Sequence, residues 1–185
     1  MKIGFDLDGV IIDHTDSKLI LAKRLGYDLT PQQTASDEIQ KIIPSEILSN
    51  IRSAIYDDAD IAMLANLMTG AVESLDSLKK SFVPIFLVSR RHNPNVPIDF
   101  MKAKGLWPEY FNAENSFFVA TVAEKNSKAK EIGVTHFLDD EMNVIEVLKD
   151  VPNRFYFDRF NLCGDGDGYT RVVSWEDFLK KVYGY

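Results

Sequence analysis

The sequence predicts an α/β fold, a three-layer, Rossmann-like parallel sheet with a small helical cap inserted after the first strand. Short apolar runs alternate with segments of helical periodicity, which is the pattern of a parallel sheet covered by helices. The stretch between the first two apolar runs is too long for a simple crossover connection. We therefore expect a core formed by residues 1–11 and 76–185 and a cap formed by residues 12–75.

Strands and helices alternate along the predicted core. Apolar segments bounded by turn residues predict five strands, at residues 2–6, 83–88, 117–120, 134–138 and 154–157. Helices are predicted between them, and Gly105 and Gly133 lie where two of these helices should end. Ser174 is predicted to cap the last helix, because two acidic residues follow in its first turn.

The predicted cap consists of helices. A first amphipathic helix ends at Gly26, and Pro31 and Pro44 occupy turn or helix-start positions. A second apolar stripe at helical spacing follows, formed by Ile47, Leu48, Ile51, Ala54 and Ile55. Ligands of open α/β sheets bind at the carboxyl ends of the strands. A cap inserted after the first strand is therefore expected to cover that edge. Its few aromatic residues, Tyr27 and Tyr56, do not suggest a base-stacking wall.

Composition restricts the classes of partner. The chain has 185 residues and a net charge of −7, from 21 basic and 28 acidic residues. This charge argues against nucleic acid or an anionic membrane as a partner, but a metal ion and local basic residues still permit a small phosphate ester. The single Cys163 cannot form an internal disulfide, which favours a reducing, cytoplasmic location. No apolar stretch approaches the ~20 residues that span a bilayer, and the N-terminus is unlike a signal peptide.

Two carboxylates follow the first predicted strand, in the segment Phe5-Asp6-Leu7-Asp8-Gly9-Val10. Asp6 and Asp8 are two residues apart, so on a strand they face the same side. Two carboxylates ~4 Å apart repel by about 4 kcal/mol at an effective dielectric of 20, and Mg²⁺ relieves this repulsion because it prefers hard oxygen ligands. The alternative for this segment is a solvated turn. We interpret the second Asp-x-Asp-Gly, within residues 164–168, as a flexible loop, because no apolar strand precedes it.

Further polar residues follow the later predicted strands. Ser89 comes after the second strand, Lys125 lies near the start of a helix, and Asp139 and Asp140 end the fourth strand. Taken singly, Ser89 fits a turn, Lys125 a solvated surface charge, and the acid pair a helix cap. Taken together, they stand at strand ends or at a helix start of a parallel sheet, so they are expected to lie at one edge of that sheet.

In their order, these features resemble the four motifs of the haloacid dehalogenase-like (HAD) superfamily, most of whose members are phosphatases. The residues similar to the four motifs are Asp6-Leu7-Asp8-Gly9-Val10, Ser89, Lys125 and Leu138-Asp139-Asp140. Two further segments resemble the 5′(3′)-deoxyribonucleotidase-like branch, namely Ser89-Arg90-Arg91 and Phe157-Asp158-Arg159-Phe160-Asn161. In the second of these, Phe160 stands where a proline is usual.

The resemblance implies hydrolysis of a phosphate monoester through an aspartyl-phosphate. Asp6 would be the nucleophile, and Asp8 the general acid and then the general base, so its carboxyl must first hold a proton. The implied cofactor is Mg²⁺. Its implied ligands are Asp6, the backbone carbonyl of Asp8 and an acid of the fourth motif, with Asp140 favoured over Asp139.

The resemblance also implies phosphate binding by Ser89 and Lys125. Two further lysines of the same predicted helix compete with Lys125, and spacing alone does not choose among the three. Arg90 is a further candidate for bidentate phosphate binding, with a surface role as the alternative. His14 is expected to cap or pack rather than to catalyse. The expected partner is a small phosphorylated metabolite, such as a nucleoside monophosphate, which the cap would select. The oligomeric state is not indicated.

Other functions stay open. A phosphatase of phosphosugars or other metabolites, or a phosphomutase, shares the aspartyl-phosphate step. A dehalogenase needs neither Mg²⁺ nor an acid like Asp8, so Asp8 and the Asp139-Asp140 pair argue against it. A phospho-accepting receiver module also combines acids, a Ser or Thr and a Lys on an α/β sheet. Its acid pair belongs to the first strand, however, whereas Asp139-Asp140 comes last here.

Overall fold

The computed structural model describes residues 1–184, which contain eight strands. These are β1 (Ile3–Phe5), β2 (Ile12–Asp13), β3 (Asn66–Leu67), β4 (Ile85–Arg90), β5 (Ser116–Val119), β6 (His136–Asp139), β7 (Asn153–Phe157) and β8 (Thr170–Val172). Six of the described strands form one sheet in the order β5–β4–β1–β6–β7–β8, and every pairing in it is parallel. Parallel pairing places the carboxyl ends of all these strands at the same edge.

The same residues contain nine α-helices. These are α1 (Thr15–Arg24), α2 (Ser36–Ile42), α3 (Ser45–Asp57), α4 (Ala59–Met63), α5 (Ala71–Lys80), α6 (Asn95–Ala103), α7 (Val122–Glu131), α8 (Met142–Val147) and α9 (Trp175–Tyr183). The predicted cap of α9 is confirmed, because the Ser174 hydroxyl accepts a hydrogen bond from the backbone N–H of Asp177 at 3.0 Å. None of the described helices combines the length and the apolarity needed to cross a membrane.

Helices cover both faces of the sheet. On one face, Phe5 of β1 packs against Trp175 and Phe178 of α9, with ring centroids 5.0 and 5.9 Å apart. On the other face, Phe137 of β6 is buried in a cluster with Ala129 of α7 and neighbouring apolar residues. Each large apolar side chain buried in this way contributes about 1.5–3 kcal/mol. The predicted three-layer α/β fold is therefore confirmed.

The four helices between residues 15 and 63 have a hydrophobic cluster of their own, formed by Ala22, Ile39, Ile43, Leu48, Ile51 and Ile55. Helices this short are marginal alone in water, so this mutual packing stabilises them. The segment leaves and re-enters the core through β2 and β3, which pair antiparallel with Asp13 opposite Asn66. Thr34, in a 3₁₀ turn over Gln32–Thr34, is also buried there.

The short strands β2, β3 and β8 were not predicted. Each has two or three residues, which is too short for an apolar alternation to stand out from a loop. The second Asp-x-Asp-Gly lies in the connection between β7 and β8 and has no helix or strand, as predicted. Its Asp165 side chain is 90% exposed.

Candidate active site

An acidic cluster lies where β1 and β6 end. Asp6 directly follows β1, and its backbone N–H donates to the carbonyl of Leu138 in β6 at 3.0 Å. Asp139 is the last residue of β6, and Asp140 follows it. Carboxylate oxygens of Asp6, Asp139 and Asp140 lie within 4.8 Å of one another. The fold thus joins residues that are more than 130 positions apart in the sequence.

Lys125 of α7 neutralises part of this cluster. Its side chain is 1% exposed, and Nζ lies 2.6 Å from Asp139 Oδ2 and 2.8 Å from Asp6 Oδ1. Burial alone would lower the pKa of Lys125, but the two carboxylates outweigh it and raise that pKa above its ordinary value. Lys128, on the same helix, instead pairs with Glu131 at the surface.

The two acids of the fourth motif have different partners. Asp139 Oδ2 bonds to Lys125, and its Oδ1 accepts from the backbone N–H of Glu141 at 3.0 Å. Asp140 Oδ2 accepts from the Ser36 hydroxyl at 2.7 Å, whereas its buried Oδ1 has no hydrogen-bond partner within residues 1–184. Burial raises the pKa of Asp139 to about 7 despite Lys125, and it raises the pKa of Asp140 well above its ordinary value. Crowded carboxylates with an unsatisfied oxygen fit a hard divalent cation.

The loop after β1 brings its backbone close to Asp140. Gly9 has a φ of +79°, and a Cβ built there would lie 2.1 Å from Asp140 Oδ2. The glycine is therefore required for both its conformation and its close approach. The buried Trp175 holds the same loop, because its indole N–H donates to the carbonyl of Val10 at 2.9 Å.

The side chains of Arg91 and His14 both bond to the carboxylate of Asp8. Arg91 donates to both of its carboxylate oxygens, at 2.8 and 2.6 Å. His14 stands at the start of α1, but its ring makes no cap bond, and its Nε2 lies 2.7 Å from Asp8 Oδ1. Burial opposes ionisation of Asp8, yet Arg91 and His14 outweigh it and hold the pKa of Asp8 well below its usual range. The described conformation therefore favours the ionised carboxylate, whereas a general acid requires a proton.

Arg91 also connects the core to the cap helix α3. Its Nη1 donates to the carbonyl of Tyr56 at 2.8 Å, and its guanidinium lies 4.0 Å from the centre of the Tyr56 ring. A second connection runs from α2, where Asp37 accepts from the hydroxyl of Tyr156 and from the backbone N–H of Met142, both at 3.0 Å. The cap in this structure is thus bonded directly to the loops that carry the acids.

Two of the residues predicted to bind phosphate, Ser89 and Arg90, lie at the end of β4. Ser89 is 1% exposed, and its hydroxyl has no hydrogen-bond partner among the described residues. Arg90 forms an ion pair with Glu141. Ser89, Arg90 and Glu141 line the same cleft as Asp6. Ser89 therefore contributes an unpartnered hydroxyl to the cleft that Asp6 also lines, while the charge of Arg90 is partly compensated by Glu141.

The cap contributes residues to this cleft that no sequence motif indicates. The side chains concerned are those of Lys18, Ser36 and Arg52, and the core adds His92. Lys18 and Arg52 lie on α1 and α3, where a single cation on an amphipathic helix has the pattern of a solvated face. Only the packing of these helices over the sheet edge distinguishes a cleft-facing cation from a solvated one.

A parallel sheet with a helical insertion after β1 and acids at the ends of β1 and β6 defines an HAD-like α/β fold. The HAD family hydrolase from Deinococcus radiodurans R1, solved with bound phosphate and sodium, superposes with a TM-score of 0.61 at 14% identity, over 99% of this chain and 95% of that chain. The HAD hydrolase of family IA, variant 3, from Entamoeba histolytica HM-1:IMSS gives 0.63 at 16% identity, over 95% and 93%.

YfnB from Bacillus subtilis, in a form bound to magnesium, superposes with a TM-score of 0.65 at 13% identity, over 100% of this chain and 98% of that chain. No protein-family model matches the sequence, and no curated protein matches it either. The chain therefore has the fold of the HAD-superfamily hydrolases, which confirms the fold that the motif resemblance implies.

Proposed function

We propose that this protein is a Mg²⁺-dependent phosphate-monoester hydrolase that acts through an aspartyl-phosphate on Asp6. The observation that carries the proposal is the convergence of Asp6, Asp139 and Asp140 within 4.8 Å, with the ammonium group of Lys125 bonded to two of them. Three carboxylates this close need more positive charge than one lysine supplies. A divalent cation and an adjacent phosphoryl group form a natural complement to such a cluster.

In the proposed reaction, Asp6 attacks phosphorus in line, and the bond between phosphorus and the leaving oxygen breaks as the aspartyl-phosphate forms. Lys125 orients Asp6 and offsets negative charge on the phosphoryl group. The unpartnered hydroxyl of Ser89 donates a hydrogen bond to a phosphoryl oxygen. Water then attacks phosphorus, which releases inorganic phosphate and restores the carboxylate of Asp6.

Asp8 is the proposed acid for the leaving oxygen and the proposed base for the attacking water. In the described conformation, Arg91 and His14 favour the ionised form of Asp8, which suits the second role. The first role requires Asp8 to separate from Arg91 and take up a proton. Because Arg91 is also bonded to the cap, cap movement is a direct way to release Asp8.

The proposed Mg²⁺ ligands are Asp6, the backbone carbonyl of Asp8, and Asp140. Asp140 is favoured because its Oδ1 is free, whereas both oxygens of Asp139 already have partners. When bound there, Mg²⁺ supplies Lewis-acid stabilisation of charge on the phosphoryl oxygens. Asp139 supports the site by holding Lys125.

The proposed substrate is a small phosphorylated metabolite. A nucleoside monophosphate is one candidate, although Arg91 occupies one face of Tyr56, the cap aromatic residue in the cleft. A phosphosugar is the other candidate. A Thermotoga maritima protein provisionally assigned as a β-phosphoglucomutase has this fold, with a TM-score of 0.65 at 14% identity.

The test is release of inorganic phosphate from a panel of nucleoside monophosphates, sugar phosphates and p-nitrophenyl phosphate, with Mg²⁺ and with excess chelator. We expect turnover only with Mg²⁺, and we expect Asp6→Asn to abolish it while the melting temperature shows a folded protein. Asp165→Asn is the matched control, because Asp165 begins the second Asp-x-Asp-Gly and lies on an exposed loop. It should keep wild-type turnover.

Four results would contradict the proposal. Turnover in excess chelator would show that the reaction does not need a metal ion. Near-normal rates for Asp6→Asn would exclude Asp6 as the nucleophile. Transfer of the phosphoryl group to a second position of the substrate, without free phosphate, would identify a mutase, and a long-lived phosphoprotein without turnover would identify a receiver module.

A further inference from the structure

The cations that line the cleft or bond to its carboxylates divide into two sets. Those of the core all have acidic partners, since Lys125 bonds to Asp6 and Asp139, Arg91 to Asp8, and Arg90 to Glu141. These pairs include Asp6, the proposed nucleophile, and Asp8, the proposed acid and base. The core therefore has its own compensated charges at the reacting end of the cleft.

The cap cations lack such partners. Arg52 of α3 lines the cleft, and its guanidinium makes no hydrogen bond or ion pair with any residue in the described part of the chain. Lys18 of α1 donates to the carbonyl of Thr34 at 2.9 Å and forms no ion pair within residues 1–184. Each side chain is only partly exposed. Two unpaired cations thus face the same cleft from neighbouring cap helices.

Close positive charges in a partly desolvated cleft are unfavourable unless an anion joins them. Arg52 and Lys18 line the same cleft from the cap helices α3 and α1. Burial is the main cause of the lowered pKa of Lys18; the carboxylates of Asp140, Asp8 and Glu141 oppose that shift, and the guanidinium of Arg52 adds to it. A guanidinium binds a carboxylate or a phosphate through parallel hydrogen bonds, and an ammonium adds a compact point charge. The pair is thus complementary to a second anionic group on the molecule that brings its phosphate to Asp6.

We propose that the substrate is a phosphate monoester with a second anionic group, a carboxylate or a second phosphate, which Arg52 and Lys18 bind. This inference rests on the proposed function, because it assigns the non-reacting end of the same substrate.

The experiment measures kcat/KM for phosphate release from matched pairs of compounds that differ in the second anion. One pair is 3-phosphoglycerate and glycerol 3-phosphate, which tests a carboxylate. The other is fructose 1,6-bisphosphate and fructose 6-phosphate, which tests a second phosphate. We expect the anionic member of at least one pair to be preferred about tenfold or more, the value of one charge-assisted hydrogen bond. Comparison of the pairs identifies which anion is bound.

The decisive readout is this preference ratio in variants. Arg52→Gln and, independently, Lys18→Gln should each bring the ratio close to one, and because it is a ratio, a general loss of activity cancels. Arg24→Gln is the matched control, since Arg24 is an exposed cation at the end of α1 and does not line the cleft. It should keep the wild-type ratio.

The possible failures are distinguishable. If p-nitrophenyl phosphate is hydrolysed with Mg²⁺ but neither pair shows a preference, the inference is overturned and the proposed function stands. A preference that survives both Arg52→Gln and Lys18→Gln also overturns the inference, because other residues then bind the second anion. If no compound releases phosphate, the proposed function fails, and the inference fails with it.

Discussion

Replacement of Lys125 by methionine tests the electrostatics of the acidic cluster directly. Lys125 is 1% exposed, and its partners Asp139 and Asp6 are 0% and 11% exposed, so solvent screens these ion pairs little. Removal of one member of a buried ion pair costs about 3–5 kcal/mol, because the remaining charges stay buried without compensation. For a protein of this size each kcal/mol corresponds to about 2–4 °C. Lys125→Met should therefore lower the melting temperature of the metal-free protein by about 6–20 °C.

The assay is thermal unfolding in excess chelator and again in millimolar Mg²⁺. Lys128→Met is the control, because Lys128 lies on the same helix in a surface pair with Glu131, and such pairs contribute about 0.3–0.5 kcal/mol. Mg²⁺ should recover part of the stability lost in Lys125→Met, since it returns positive charge to the same carboxylates. If the two variants melt within about 2 °C of each other in chelator, the account of Lys125 as the cluster's internal counter-charge is refuted.

Gly9→Ala should weaken Mg²⁺ binding measured by calorimetry, because the new Cβ collides with the carboxylate of Asp140. Gly105→Ala is the control and should not weaken it, because Gly105 has a similar positive φ but open space around it. In metal-free protein the pKa of Asp139 is about 7 in the folded state, against an ordinary value of 3.8. The folded state therefore holds a proton that the unfolded chain releases, and the contribution of Asp139 to the free energy of unfolding falls as pH rises from about 4 to about 7. Urea titrations in chelator should show this slope, reduced in Asp139→Asn. Arg91→Gln removes the main charge that lowers the pKa of Asp8. The pH–rate profile of phosphate release should therefore move to higher pH. A profile that does not move would count against Asp8 as the acid and base.

The acids of the site were accessible to sequence reasoning because each follows a strand. Asp6 and Asp139 come directly after apolar runs, and a parallel sheet necessarily brings such ends to one edge. Lys125 was identified only through the order of the motifs. Its distinction from Lys128 depends on which side of α7 faces β6, and this follows from the packing of the helix rather than from any local pattern.

The arginines after β4 show a different limit. The sequence offers Arg90 and Arg91 as adjacent, equivalent cations, and Arg90 is a candidate phosphate ligand with a surface role as the alternative. In the structure Arg90 pairs with Glu141, while Arg91 binds Asp8 and reaches the cap. Partners from other elements decide such roles, so they become visible only once the chain is folded.

The paired strands β2 and β3 form a two-stranded ribbon at which the helical insertion both leaves and re-enters the core. Since Asp13 pairs with Asn66, the two crossing points are neighbours, and a two-residue hairpin turn has the geometry to join them directly. No described residue of the intervening segment takes part in the hydrogen-bonded pairing of the six-stranded sheet. Its length can therefore change without a shift in strand register, whereas its side chains, through Ser36 and Asp37, remain tied to the edge where the acids lie.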